Sequence, residues 1–197
     1  GEKIEVFEKN MTTLFIKNMV CNRCVMAVRN ELNNSGIEPI DVQLGEVTLE
    51  KDLTAQEKEK FSKALVSLGF EMIDDKKSRL IEQIKTIIID LVHHQDNGTK
   101  TNLSDVLSSK LFHDYNYLSN LFSEVEGTTI EKYFIAQKIE KVKELLVYDE
   151  LSLSEIAFRL NYSSVAYLSN QFKKVTGLSP SHFKNRREDR RKPLDEV

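Results

Sequence analysis

The spacing of hydrophobic positions changes character partway along the chain and divides it into two parts. Leu14-Phe15-Ile16 reads as a short strand running into Asn18-Met19-Val20-Cys21. From about Asn22, the residues Val25, Val28 and Leu32 recur on one helical face. Ile40 to Leu44 and Val47 to Leu49 alternate like two strands, with Gly45 as the tight turn between them. Thr54 and Glu57 have the spacing of a capping box. They open a helix carrying Phe61, Ala64, Leu65 and Leu68 at i, i+3, i+4 and i+7, and Gly69 to Ile73 closes the segment as a strand. The order βαββαβ predicts an α+β, ferredoxin-like domain over residues 12–75.

From there on the period is helical. Leu80, Ile81, Ile84, Ile87, Ile88, Leu91 and Val92 form a stripe wide enough to be buried, predicting an amphipathic helix over Lys77–His94. It is expected to pack on the first of two units that follow, with Gln95–Thr99 as a loop. Self-comparison then gives the strongest signal: at an offset of 50 residues, Leu103–Gly127 lies over Leu153–Gly177 without a gap. The shared positions include Tyr-Leu-Ser-Asn-x-Phe, at Tyr117–Phe122 and Tyr167–Phe172.

Each copy reads as two helices joined by a short turn. In the second copy Ser154 is expected to cap a helix bearing Ile156, Ala157 and Leu160. The pattern breaks at Asn161-Tyr162-Ser163 and resumes with Ala166, Leu168, Phe172 and Val175, ended by Gly177. In the first copy Leu103, Val106 and Leu107 are followed by Leu118, Phe122, Val125 and the terminating Gly127. Between the copies, Thr128–Tyr148 predicts one helix of about 30 Å, close to the roughly 34 Å of one turn of B-DNA. An all-α domain over residues 76–191, with two helix-turn-helix units joined by a long helix, is the expectation. A protein-binding solenoid is the competing architecture, though solenoids usually need three or more repeats.

Charge alters this picture only when it is divided. The net charge is −3, but residues 1–75 carry 9 basic and 14 acidic side chains, and the remainder 19 and 17. Phe172–Lys192 holds eight basic residues against two acidic ones, a patch that suits a phosphate backbone. The longest apolar run, Thr86–Ile89, is cut by Asp90, and Gly1–Asn10 lacks the apolar region of a secretion signal, so no membrane partner and a cytoplasmic location are expected. No nucleophile–base set or phosphate-cradling loop stands out, so an enzyme is not expected.

Residues 76–191 resemble the DNA-binding domain of AraC/XylS-family transcription regulators, chiefly through IAFRLNYSSVAYLSNQFKKVTGLSPSHFK in the second copy. Two departures are Asn161-Tyr162, where the family usually has Gly-Phe, and the acidic Ser123-Glu124-Val125-Glu126. The resemblance and helical geometry together place base-facing residues at the start of each second helix: Asn116, Ser119 and Asn120, then Val165, Ala166, Ser169 and Asn170. Asparagine pairs bidentately with adenine, and Val and Ala pack on a thymine methyl. With no arginine in either set, an A·T-rich double-stranded DNA site is expected. Lys173, Lys174 and Arg186 read as phosphate contacts. RNA polymerase is a further partner that such a regulator would meet.

Cys21 and Cys24 are the chain's two cysteines. Met19-x-Cys21-x-x-Cys24 between a first strand and helix, with Gly69-Phe70 before the last strand, resembles the heavy-metal-associated domain of copper chaperones and metal-transporting ATPases. Asn18 stands where that family usually has Gly. Two soft thiolates favour Cu(I), with Zn(II) or another soft ion second. Met19 is expected to pack and not to ligate, and the helix start is expected to lower the Cys24 pKa. A thioredoxin-like redox pair is a weaker alternative, since it needs a proline opposite the motif and Pro39 is badly placed. The four histidines are expected to be solvated or satisfied. With no Gly/Ser linker between the parts, a metal at the cysteines is expected to bias DNA binding. The rival reading is a metal-handling protein whose helical half binds a protein partner.

Overall fold

The computed structural model describes residues 11–186. Expectations that touch Gly1–Asn10, and the parts of the basic stretch and of the second expected domain beyond Arg186, lie outside the described residues.

The amino-terminal elements are β1 (Thr12–Lys17), α1 (Asn22–Asn34), β2 (Asp41–Gln43), β3 (Glu46–Leu49), α2 (Ala55–Ser67) and β4 (Glu71–Ile73). Their order is the βαββαβ read from the sequence. The strands line up as β2-β3-β1-β4, every neighbour antiparallel, with Leu14 opposite Val47, Phe15 opposite Ile73 and Val42 opposite Val47. Gly45 makes the β2–β3 turn at φ 78°, a left-handed conformation that costs glycine nothing. Ile16, Val28, Leu32, Val47, Phe61 and Leu65 form the core. Thr54 caps α2 by accepting from the Glu57 amide at 3.2 Å, one arm of the expected box. Leu68 was expected on the apolar face of this helix, but α2 stops at Ser67 and Leu68 turns out to solvent.

Two compact units divide between Glu82 and Gln83, inside α3 (Lys76–Ile89) and beyond the boundary expected after residue 75. In the first unit, Arg79 donates to the Ile73 carbonyl at 3.1 Å and lies over the Phe15 ring at 5.0 Å. The expected α-helix to His94 stops short, because Asp90–His94 winds as a π-turn. Gly98, in the 3-10 turn Gly98–Lys100, sits against that turn. A Cβ there would lie 2.0 Å from the Leu91 carbonyl oxygen, so only glycine allows this approach. The expected loop is therefore partly buried and shaped.

The second unit continues with α4 (Leu103–Leu111), α5 (Tyr115–Glu126), α6 (Ile130–Tyr148), α7 (Leu153–Arg159), α8 (Val165–Thr176) and α9 (Pro180–Asn185). Side chains of Asn102, Thr129, Ser152, Ser164 and Ser179 accept from the third amide of α4, α6, α7, α8 and α9 respectively. Ser152, not the expected Ser154, caps α7. It is extended, at φ −71° and ψ 162°, and forms a reciprocal box with Glu155, whereas Ser154 already lies inside the first turn. The 19 residues of α6 span about 28 Å. This helix is buried around much of its circumference, and it holds the Lys143–Glu140 ion pair at 2.8 Å.

Candidate nucleic-acid interface and thiol pair

The two repeats fold as two helix pairs, α4–α5 and α7–α8. Each second helix ends on a left-handed glycine, Gly127 at φ 69° and Gly177 at φ 81°. Leu118 and Leu168 point inward, as do Phe122 and Phe172. Phe122 meets the Tyr133 ring edge-on at 5.7 Å, and Phe172 meets Phe183 at 5.6 Å. Burying these residues on one face leaves the opposite face of each helix to water.

That outer face holds most of the residues expected to contact bases. Asn116, Asn120, Ala166 and Asn170 are exposed, and Ser119 and Ser169 are half-buried beside them. Val165 is half-buried against the second core, so part of its apolar surface is already taken. Lys173 and Lys174 are exposed in the last turn of α8, and Arg186 is exposed at the end of α9. Val125 and Val175, expected in the apolar stripes, are exposed instead because they lie on the far side of their helices from the core.

Tyr117 and Tyr167 were not among the expected site residues. They are 47% and 54% exposed, at matching positions on α5 and α8. The clue was present: an aromatic residue identical in both copies, with no burial to explain it.

The turns between paired helices differ. In the second unit Asn161 takes the left-handed conformation at φ 62°, and its side chain donates to the Thr99 carbonyl at 3.4 Å. Asparagine tolerates that backbone, which accounts for its standing in for glycine. Tyr162 follows into the core, donating to Gln171 Oε1 at 2.6 Å, with the Lys138 ammonium 4.0 Å from its ring centroid. Burial pushes the Tyr162 hydroxyl up and the Lys138 ammonium down to about 8. In the first unit the left-handed residue is Phe112, at φ 55°.

Behind the first unit, His93 meets Gln137 Oε1 at 2.7 Å, and Gln137 Nε2 donates to the Tyr133 hydroxyl at 3.2 Å. Burial holds the His93 imidazole down at about 4, against hydrogen bonding to Gln137, which raises it. At neutral pH the ring is uncharged, and its Nε2–H is the donor to Gln137. His94, His113 and His182 are exposed.

In the other unit, Cys21 is the N-cap residue of α1 and Cys24 lies in its first turn, with the sulfurs 3.7 Å apart and both residues half-buried. Asn18 is left-handed at φ 75° and donates to the Gly69 carbonyl at 3.2 Å. Met19 is buried in the core, its side chain engaged in packing. The Cys24 thiol is raised, not lowered as expected. Burial outweighs the opposing backbone hydrogen bonds at Val20 and Cys21, and the neighbouring Cys21 thiol raises it further. Among the described residues no group of three or more His, Cys, Asp or Glu side chains is gathered for a metal ion. No described helix is long and apolar enough to cross a membrane.

Residues 107–186 match the sequence family described as a helix-turn-helix domain. The transcriptional regulator YtdP of Bacillus subtilis (strain 168) is 26% identical over 119 residues, 59% of this chain and 15% of the relative. The xylose operon regulatory protein of Escherichia coli (strain K12) is 34% identical over 68 residues, 34% of this chain and 17% of the relative. This chain thus spans less than a fifth of the length of either. Among solved structures, the C-terminal domain of AraT, a response regulator from Geobacillus stearothermophilus, aligns with a TM-score of 0.48 at 26% identity, covering 57% of this chain and 89% of that one. The matched segment of the carboxy-terminal unit is therefore similar to a helix-turn-helix domain, and the two relatives are described as a transcriptional regulator and an operon regulatory protein.

Proposed function

We propose that this chain is a transcription regulator that holds double-stranded DNA with two tandem heads, α4–α5 and α7–α8, and responds to a soft metal ion at Cys21 and Cys24. One observation carries the DNA reading: two copies of one helix pair present the same exposed residues, Tyr117 and Asn120 on α5, Tyr167 and Asn170 on α8. Such polar faces at the start of a helix suit base edges in a major groove. The family match and the regulators among its relatives support the same reading. Asn120 and Asn170 would read adenine, and Ala166 with the exposed part of Val165 would pack on thymine methyls, giving an A·T-rich site. Lys173, Lys174 and Arg186 would neutralise phosphates and set register. RNA polymerase is the second partner of this reading.

For the metal, the donors fit. Two sulfurs 3.7 Å apart at the start of one helix converge on a single point, and soft thiolates prefer Cu(I), with Zn(II) second. The βαββαβ order and the antiparallel sheet support a heavy-metal-associated, ferredoxin-like domain. A bound ion would hold both thiolates deprotonated and stiffen the β1–α1 loop. Asn18 anchors the same loop to Gly69. Regulation then requires the ion to have different affinities for the DNA-binding and non-binding states.

A second reading, a metal-handling protein whose helical half binds a protein partner, draws on the acidic first head, where Asp105, Asp114, Glu124 and Glu126 face a single basic residue, Lys110. Selection from a randomised duplex pool, with and without Cu(I) under reducing conditions, decides between them. A·T-rich half-sites about one turn apart, enriched with metal-dependent affinity, are the expected result. Enrichment indifferent to Cu(I), unchanged in Cys21→Ser/Cys24→Ser, removes the sensor. No enrichment in either condition favours the metal-handling reading.

A further inference from the structure

The two heads share a scaffold but present different surfaces. Between Leu153 and Gly177 the chain carries Arg159, Lys173 and Lys174 against Glu155, the reverse of the balance between Leu103 and Gly127. Helix α5 has no Lys or Arg at all, and Glu126 at its end is tied to Lys85 at 3.0 Å.

Both heads expose a tyrosine at the matching position, and what the first adds is an exposed aromatic ring at its turn. Phe112 is 90% exposed, and the His113 ring stacks on Tyr117 with centroids 5.1 Å apart and planes 28° from parallel. Tyr162, the residue matching Phe112 in the second copy, is 7% exposed. Phe112 is unfavourable twice over: a bulky side chain in left-handed backbone, and an apolar ring left in water. Phe158, the other strongly exposed phenylalanine among the described residues, lies under the Lys100 ammonium at 3.9 Å. Local strain and exposure without a folding benefit concentrate at functional sites.

Position supplies the partner. In a helix-turn-helix the first helix crosses the DNA backbone and the second enters the groove by its amino-terminal end, so the joint between them lies at the groove edge. Phe112 is that joint, three residues before α5 begins. We propose, resting on the DNA-binding reading above, that Phe112 and Tyr117 are DNA contacts. Their rings pack on deoxyribose and thymine-methyl surface at the edge of the first half-site. The first head then holds DNA by apolar contact that releases few counterions, while the second holds it through Lys173 and Lys174. Apolar burial is insensitive to ionic strength over the range in which phosphate contacts weaken steeply.

The test measures binding of the full chain to its pool-selected duplex across a salt series. Phe112→Asn keeps a residue at ease in left-handed backbone and removes the ring, so the fold is expected to melt at the same temperature or higher. Its affinity should fall roughly tenfold or more at every salt concentration, with an unchanged slope of log K against log salt. Phe112→Tyr should keep most of the affinity. Lys173→Ala/Lys174→Ala should instead flatten the slope by roughly two. Normal selection with a Phe112→Asn variant that binds like the parent, or whose loss is confined to low salt with a flattened slope, overturns this proposal alone. A pool that yields no duplex overturns it together with the DNA reading.

Discussion

Set 50 residues apart, the two helix-turn-helix units bury matching residues and expose a matching tyrosine and asparagine, but their turns and charges differ. Leu118 and Phe122 are fully enclosed in the first, Leu168 and Phe172 in the second. The left-handed residue falls at Phe112 in one and at Asn161 in the other, one position earlier in the shared register. That offset sends Tyr162 into the core and leaves its counterpart Phe112 in solvent. A duplicated unit is constrained where its helices pack, because close packing penalises any change of volume. Its turn and outer face are less constrained: the second unit carries Lys173 and Lys174 on α8, and the first leaves Phe112 exposed at its turn.

If the cores are equivalent, Phe122→Ala and Phe172→Ala should each cost about 3–5 kcal/mol in urea unfolding. A gap of several kcal/mol between them would mean that one head carries the stability of the whole helical unit. Acid should then separate what the cores share. The first head's core continues, through Tyr133 and Gln137, to the His93 imidazole. Its folded value, about 4, is below the ordinary 6.5, so the unfolded chain binds the proton first as pH falls. His93 therefore contributes fully above pH 6.5, and its contribution is lost on descent towards pH 4, about 2–3 kcal/mol in all. Lys141, Glu144 and His94 act on the same ring, with burial the dominant cause. Thermal unfolding from pH 7.5 to 4 should show the decline, and His93→Gln should remove most of it; a variant that declines like the parent would place the acid sensitivity elsewhere. The smallest contrast lies at the caps. Ser164 accepts from the Tyr167 amide at 3.0 Å, so Ser164→Ala should cost about 1 kcal/mol. Asp114 makes no side-chain bond to α5, and Asp114→Ala should cost well under that in the same unfolding assay.

Much of this was legible in the sequence. Helical and strand periods, turn glycines, the 50-residue repeat and the Thr54 cap all act over a few residues, and the elements appeared in the expected order. The exposed asparagines and lysines could be read for the same reason, since a helix that buries Leu118 and Phe122 must turn Asn116 and Asn120 outward. Failures came where neighbours distant in the chain decide. The hydrophobic period of α3 did not show that Asp90–His94 winds as a π-turn or that Gly98 lies against Leu91. The rise of the Cys24 thiol, against the helix-start expectation, depends on how deeply the β1–α1 loop sits in its unit. Tyr117 and Tyr167 were visible as a repeat identity but could not be sorted from core aromatics until their exposure was known.

The sequence by itself determined the element types, the order of the two parts, the duplication and the pairing of Cys21 with Cys24, because each is set by chemistry within a helical turn or by direct self-similarity. The left-handed backbone of Asn18 and Asn161, which asparagine tolerates, was seen only in the structure. Only the tertiary structure decided which surfaces remain. Burial is a property of groups far apart in the chain: His93 finds Gln137 across 44 positions, and Thr99 reaches the Arg159 carbonyl across 60. Protonation state, the shape of the turns before α5 and α8 and the exposure of Phe112 follow from such contacts, which no local pattern encodes.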